Sequence, residues 1–198
     1  MTYYTLSDPC AATLEIKKSQ FLGFGIAIDS REQLMFHVEQ LRNQYPDARH
    51  VCYGYIIGDP RNTTSAGFDD DGEPSGTAGK PILNVLQHKG IGNCVVIVVR
   101  YFGGIKLGAG GLTRAYSSTA QAVVDNMNLH AFVPLSVILI ETDFANESFV
   151  RHTLDGFKAT ILKVDYGKNV VLTVELAQKS VQALREKIGF YGTVKASE

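Results

Sequence analysis

Residues 94–114 read CVVIVVRYFGGIKLGAGGLTR and predict a strand, a glycine-rich turn and the start of a helix. The apolar run at 94–99 is typical of a strand that is buried on both faces of a sheet. Residues 81–88, just before it, predict a short helix with proline at its start. After the turn, apolar positions recur every three or four residues and predict a helix that packs on the sheet: Leu112, Ala115, Tyr116, Thr119 and Val123.

Two strands are predicted near the start of the chain. Residues 13–17 and 20–28 contain β-forming side chains and a plausible turn between them, which together predict a hairpin. Gly23 and Gly25 lie inside the second strand, where a glycine indicates a bulge or the close approach of another segment.

A helix and a third strand are predicted next. Ser30 and Gln33 have capping-box spacing, and the apolar residues after them keep helical spacing until the proline at 46. Residues 51–57 predict a strand. Residues 58–79 are rich in Gly, Pro, Asp, Ser and Thr, and we interpret them as one long connection of the kind that is often functional or mobile.

The glycine-rich character ends near residue 132, and a different pattern follows. We therefore predict two domains, residues 1–132 and residues 133–198. The predicted strands of the second domain are 137–142, 160–165, 170–176 and 190–195, and its predicted helices are 146–157 and 178–188. This βαββαβ order is that of a ferredoxin-like fold, so the predicted fold class is α+β.

The composition is that of a globular protein, with 198 residues, 45% of them hydrophobic and 20% charged. The apolar run at 94–99 is far shorter than the roughly 20 residues that span a bilayer. The residues after Met1 lack the basic and apolar regions of a secretory signal, so we expect a cytoplasmic protein. Cys10, Cys52 and Cys94 have no metal-ligand spacing, and we interpret them as reduced packing residues.

The charge distribution is uneven although the net charge is only −1. Residues 74–124 contain five basic residues and no Asp or Glu, whereas residues 1–73 contain 6 basic and 11 acidic residues. A local positive field of this kind attracts anions. The alternative is that these charges are spread over several faces of the protein.

Residues 65–81 form the first segment with potential chemistry. The carboxylates at 69–71 together with Glu73 are oxygen ligands that could hold Mg²⁺, but the EF-hand pattern fails, and we favour a solvated acidic loop. A Walker phosphate loop is excluded because it requires Gly where Pro74 stands and Ser or Thr where Pro81 stands.

Residues 100–114 form the second such segment. Backbone amides exposed by glycines at a helix N-terminus bind phosphate or carboxylate groups. The candidate anion-binding residues are Lys80, Arg100, Lys106 and Arg114 with Gly103, Gly104, Gly108, Gly110 and Gly111. A dinucleotide fingerprint that starts at Gly108 fails because Thr113 stands in place of its third glycine. The alternative is that the glycines serve only turns and packing. Tyr101 and Phe102 are either core residues or a stacking platform for bases, and we expect at least one of them to belong to the core.

These segments resemble the two signatures of the IMPACT family, in particular its bacterial YigZ-like branch. The resemblance lies in residues 70–81 and 98–112, and residues 15–21 and 46–50 resemble earlier motifs of the family. The signature-loop residues are Asp70, Asp71, Gly72, Glu73, Thr77 and Gly79. The resemblance implies a first domain like domain 2 of ribosomal protein S5, and a ferredoxin-like second domain similar to the last domain of elongation factor G. It also implies a role in translational control and supplies no catalytic residues.

The leading hypothesis is a non-catalytic regulator of translation that binds RNA, the ribosome or a translation-related protein partner through a glycine-rich basic surface. No GxSxG motif is present, and we assign no catalytic residue, no metal and no cofactor. One alternative is a phosphate-binding or nucleotide-binding enzyme of the small-molecule kinase type, with Asp70, Asp71 and Glu73 around Mg²⁺. Another alternative is a protein-docking module, and the oligomeric state stays open.

Overall fold

The computed structural model describes residues 3–196, and the chain divides into two compact units between Phe132 and Val133. Both units combine antiparallel sheets with helices, so the fold class is α+β as predicted. The elements of the first unit are β1 (Tyr3–Leu6), β2 (Cys10–Ile16), β3 (Ser19–Ala27), α1 (Arg31–Gln44), β4 (His50–Asp59), β5 (Asn62–Asp69), α2 (Gly79–Lys89), β6 (Cys94–Tyr101), α3 (Ala109–Asp125) and β7 (Leu129–Phe132). No helix within residues 3–196 is both long and apolar enough to cross a membrane.

The strand β6 lies at the centre of a five-stranded antiparallel sheet with the order β2-β3-β6-β4-β5. Val96 and Val98 belong to a core that also contains the buried faces of α2 and α3. Val95, Ile97 and Val99 belong to a second core, on the α1 side of the sheet. The prediction of a strand buried on both faces is therefore confirmed, because helices cover this sheet on its two sides.

The glycines of β3 allow α3 to lie close to the sheet. A Cβ atom added to Gly23 would come within 2.5 Å of a Val123 methyl, and one added to Gly25 within 2.9 Å of the other Val123 methyl. The pairing of β3 with β2 and β6 is continuous in register. The close approach is therefore confirmed, and the alternative of a bulge is wrong.

The capping pair Ser30 and Gln33 is present at the start of α1, with the reciprocal contact of Gln33 made to Asp29 and not to Ser30 itself. The backbone N–H of Gln33 donates to Ser30 Oγ at 3.3 Å, and the Gln33 side-chain oxygen accepts from the Asp29 N–H at 3.0 Å. The helix ends at Gln44, two residues before the proline. These contacts satisfy backbone donors that have no partner within the helix.

The prediction of one long connection over residues 58–79 is wrong. The strand β4 continues to Asp59, and β5 pairs with it as a hairpin. The strand β5 is at the sheet edge and consists mainly of small or polar residues, so it lacks the apolar alternation that reveals a strand. The short strands β1 and β7 were not predicted either, because each is only four residues long and its ladder partner is more than 100 residues away in sequence.

The second unit has the predicted βαββαβ order. Its elements are β8 (Leu135–Thr142), α4 (Glu147–Gly156), β9 (Thr160–Tyr166), β10 (Val170–Ala177), α5 (Val181–Ile188) and β11 (Thr193–Ala196). The strand order is β11-β8-β10-β9, and Ile140, Leu172 and Leu184 are in its core. A last strand starting at residue 190 is wrong, because Gly189–Tyr191 form a turn of 3₁₀ helix with Phe190 fully exposed.

Candidate anion-binding cleft

The loop between β5 and α2 is organised around the carboxylate of Asp70. One Asp70 oxygen accepts from the N–H groups of Ala78 at 3.1 Å and Gly79 at 2.8 Å, and the other accepts from the Gly76 N–H at 2.7 Å. These amides lie at the N-terminus of α2, where a negative charge is stabilised by the helix dipole. An acidic side chain of the protein itself therefore occupies the start of α2.

Asp71 attaches the same loop to the start of β4. Its side chain accepts from the Val51 N–H at 2.7 Å and from the Arg42 guanidinium at 2.9 Å, and its carbonyl contacts His50 Nδ1 at 2.8 Å. Because a carbonyl oxygen can only accept, His50 Nδ1 carries the hydrogen in this contact. The expectation of a solvated acidic loop is thus wrong, since these carboxylates bind backbone amides and a guanidinium.

Glu73 joins the two signature segments to each other. Its Oε1 accepts from Arg100 Nη1 at 2.6 Å and from the Tyr116 hydroxyl at 2.8 Å. The side chains of Arg100 and Glu73 are only 7% and 4% exposed. Burial, together with the charge of nearby Glu73, raises the pKa of Tyr116 well above its ordinary value, so this hydroxyl keeps its proton and donates to the carboxylate.

Arg100 has hydrogen-bonding capacity that its neighbours do not use. Its guanidinium carbon lies 5.5 Å from the Phe21 ring centre and 5.7 Å from that of Phe102, so it is held between two aromatic side chains. Its Nε is buried and has no hydrogen-bond partner among the described residues. An unsatisfied buried donor costs about 1–3 kcal/mol.

A cleft of about 350 Å³ opens beside these residues. Arg49, His50, Glu73, Arg100 and Lys106 form its polar lining, and Gly108 brings the start of α3 to it. Neither α2 nor α3 has an acidic residue in its first turn or an N-cap side chain that bonds to it. Asp70 from the preceding loop binds the amides at the start of α2, whereas no such contact is present at the start of α3 among the described residues. The cleft therefore combines basic side chains with an uncapped helix N-terminus, an arrangement that favours phosphate or carboxylate groups.

The predicted site residues separate into two groups. Arg100, Lys106, Gly108 and Glu73 line the cleft, which brings together parts of both signature segments. The other predicted residues are not part of this lining: Lys80, Arg114, Gly103, Gly104, Gly110, Gly111, Asp70, Asp71, Gly72, Thr77 and Gly79. The basic residues of segment 74–124 are thus partly gathered at the cleft and partly dispersed.

Two of the signature glycines have a packing role. A Cβ atom on Gly103 would overlap the carbonyl group of Lys18, and the Gly103 N–H donates to Ser19 Oγ at 3.1 Å. A Cβ atom on Gly79 would lie 2.5 Å from the Asp69 carbonyl oxygen. At these two positions the structure requires glycine because another backbone segment occupies the space of a side chain.

Arg49 and His50 were not among the predicted site residues. His50 is the first residue of β4 and Arg49 directly precedes it, both far in sequence from the other residues of the cleft. Only the likeness of residues 46–50 to a family motif pointed to them. Tyr101 packs against the core on the α1 side, which agrees with the prediction that at least one of the two aromatic residues belongs to the core. Phe102 is 45% exposed and lines the cleft.

The acidic side chains of the signature loop do not converge on a shared point. Asp70 faces the start of α2, Asp71 faces β4 and Glu73 faces Arg100. Within residues 3–196, no group of three or more His, Cys, Asp or Glu side chains is arranged to hold a metal ion. The donor set proposed for Mg²⁺ is therefore already engaged in contacts within the protein.

The fold and the cleft define an α+β protein of two units with a candidate anion-binding site on the first unit. Residues 17–124 match the family model of the Impact N-terminal domain, and residues 140–189 match a model described as a domain of unknown function, DUF1949. The chain belongs to the IMPACT family, as the sequence resemblance indicated.

The sequence similarity to several relatives extends over most of the chain. The IMPACT family member YigZ of Escherichia coli strain K12 is 35% identical over 180 residues, which cover 91% of this chain and 88% of the relative. An IMPACT family member of Haemophilus influenzae is 32% identical over 174 residues, which cover 88% of this chain and 84% of the relative. A solved structure described as the crystal structure of an hypothetical protein has a TM-score of 0.73 and 32% identity, covering 100% of this chain and 98% of that one.

Proposed function

We propose that this protein is a non-catalytic, cytoplasmic regulator of translation that binds RNA on the ribosome through the basic cleft. The observation that supports this proposal is the start of α3, which opens beside Arg49, Arg100 and Lys106 and has no acidic residue of its own. Phosphate groups dominate the affinity of proteins for nucleic acids, and helix N-termini together with Arg and Lys are common phosphate contacts.

The proposed domains support the same function. We infer that residues 1–132 form a domain like domain 2 of ribosomal protein S5, and that residues 133–198 form a ferredoxin-like domain similar to the last domain of elongation factor G. The βαββαβ order and the β11-β8-β10-β9 strand order support the second assignment. Both likenesses are to proteins of the translation machinery, so a ribosomal partner is consistent with them.

The enzymatic alternative has less support. It requires Asp70 and Asp71 around Mg²⁺, whereas their oxygens accept from backbone amides and from Arg42. Displacing them would leave the start of α2 and the start of β4 without partners. We therefore favour binding without catalysis.

The decisive experiment is co-sedimentation with ribosomes at low and high salt. The test variant is Arg49→Ala/Lys106→Ala, which removes two charges from the cleft lining, and the control is Lys80→Ala/Arg114→Ala, which removes two exposed charges outside it. Arg100 is left intact because it is buried with Glu73. We expect salt-sensitive binding that the test variant loses and the control keeps, with a salt slope smaller by up to about 2 in the test variant.

Two outcomes would contradict the proposal. Equal loss in both variants would mean that a diffuse positive field binds the ribosome without the cleft. Absence of wild-type binding at low salt would direct the search to protein partners, for which a docking module is the remaining hypothesis.

A further inference from the structure

We propose that the cleft holds one nucleoside monophosphate unit, with its phosphate at the start of α3 and its base against Phe102. This inference rests on the proposed function, since it assumes that the basic cleft is where an anion binds. It adds the chemical class of the ligand. The unit is either a free nucleotide or the phosphorylated end of an RNA.

The start of α3 provides the phosphate position. The first hydrogen bond of the helix runs from the Leu112 N–H to the Gly108 carbonyl at 2.9 Å, so the amides of residues 109–111 have no partner within the helix. Gly108 has a φ of +71° and no side chain that would cover them. Arg100, whose buried Nε has no partner in the described part of the chain, also lines this cleft and adds a positive charge to it.

The charges of the cleft match a phosphate monoester. Arg49, Arg100 and Lys106 contribute three positive charges, and Glu73 contributes one negative charge, which leaves two positive charges in the lining. A phosphate monoester carries about two negative charges at neutral pH, as phosphorylated side chains do. An internal phosphodiester of RNA carries only one, so the balance favours a terminal phosphate.

The cleft also has an apolar lining, which inorganic phosphate alone would not use. Phe102, Leu107, Leu112 and Pro74 line it, and the Phe102 ring is 45% exposed. Exposed aromatic rings stack on nucleic-acid bases without sequence preference. A cleft of about 350 Å³ is near the lower limit of small-ligand sites, which suits one nucleotide rather than a longer strand.

Calorimetric titrations of the full chain with AMP, UMP, adenosine, uridine and inorganic phosphate test the inference. We expect the nucleotides to bind roughly tenfold or more tightly than either the nucleosides or phosphate. Phe102→Ala should weaken nucleotide binding roughly 5- to 100-fold, because it removes the stacking surface, and should weaken phosphate binding much less, since Arg100 keeps its contacts with Phe21 and Glu73. Phe36→Ala is the matched control, since Phe36 is 57% exposed on α1 and does not line the cleft.

A short RNA with a 5′-phosphate, compared with the same RNA with a 5′-hydroxyl, separates the two sources. Tighter binding of the phosphorylated RNA assigns the ligand to an RNA end, whereas binding of mononucleotides alone assigns it to free nucleotide. The inference is overturned if nucleotides bind no more tightly than phosphate, or if Phe102→Ala and Phe36→Ala behave alike. Ribosome binding that depends on Arg49 and Lys106 would still uphold the proposed function in that case, and nucleotide binding without ribosome binding would overturn only the proposed function.

Discussion

Arg100 Nη1 and Glu73 Oε1 lie 2.6 Å apart in a buried ion pair that connects the two signature segments of the chain. The Tyr116 hydroxyl binds the same carboxylate oxygen at 2.8 Å and thereby adds α3 to the junction. Because the guanidinium is fixed in this way, Arg100 has a defined position where it lines the cleft. The pair is therefore both a stabilising element and part of the candidate site.

Removing the carboxylate should destabilise the first unit strongly. In Glu73→Ala, Arg100 becomes an uncompensated buried charge, and breaking a buried ion pair by removing one partner costs about 3–5 kcal/mol. Urea unfolding followed by circular dichroism measures this loss. The control is Arg42→Ala, which breaks the more exposed pair with Asp71 and should cost no more than about 1 kcal/mol. Similar losses in the two variants would contradict the importance of burial at Glu73.

A side chain at Gly103 should be poorly tolerated. In Gly103→Ala, the new Cβ overlaps the backbone carbonyl group of Lys18, which cannot rotate away, and overpacking of this kind costs about 1–3 kcal/mol or more. Gly110→Ala is the matched control, because its Cβ would be 3.7 Å from the Arg114 guanidinium and alanine favours a helix by up to about 1 kcal/mol. Comparison of the two urea midpoints tests this, and a stable Gly103→Ala protein would show that the approach of Lys18 is not required.

Asp70 should contribute through its three amide contacts at the start of α2. Asp70→Asn replaces one accepting oxygen by an NH₂ group that faces an N–H donor and also removes the charge, so we expect a loss of about 1.5–3 kcal/mol. Hydrogen exchange at Gly76, Ala78 and Gly79 should become faster. Asp8→Asn, at an exposed residue, should change stability by no more than about 0.5 kcal/mol. Unchanged exchange in Asp70→Asn would argue against the capping role.

The first unit should lose stability in alkaline solution. Burial raises the pKa of Cys52 and of Cys94 well above the ordinary 9.0, so the native state keeps these protons while the unfolded chain releases them. The contribution of each protonated thiol to the free energy of unfolding is complete below the pKa of the thiol in the unfolded chain. It is lost as the pH rises above that pKa, by about 1.4 kcal/mol per pH unit for each thiol. Urea unfolding between about pH 8 and pH 10 measures this slope. In Cys94→Ala the free energy of unfolding should fall less steeply with pH than in the wild type. An identical pH dependence in the two proteins would contradict the contribution of Cys94.

Strong periodic signals in the sequence predicted most of the elements correctly. The run at β6 could be assigned to a doubly covered strand because polar residues are absent from it, and the capping pair Ser30 and Gln33 marks the start of α1 by spacing alone. The strand β5 had no such signal, since its residues are small or polar at a sheet edge. Its assignment depended on the neighbouring strand β4, which supplies the hydrogen bonds.

The candidate site, like the fold, was predictable from the sequence only in part. The sequence by itself determined the family, the glycine-rich turn before α3 and the excess of positive charge around it, because these are properties of contiguous residues. Only the tertiary structure decided that Asp70 and Asp71 serve the loop rather than a metal, that Glu73 pairs with Arg100, and that Arg49 and His50 join Lys106 at one cleft. The physical reason is that hydrogen bonds and ion pairs depend on distances between segments, which sheet pairing and helix packing fix and linear spacing does not.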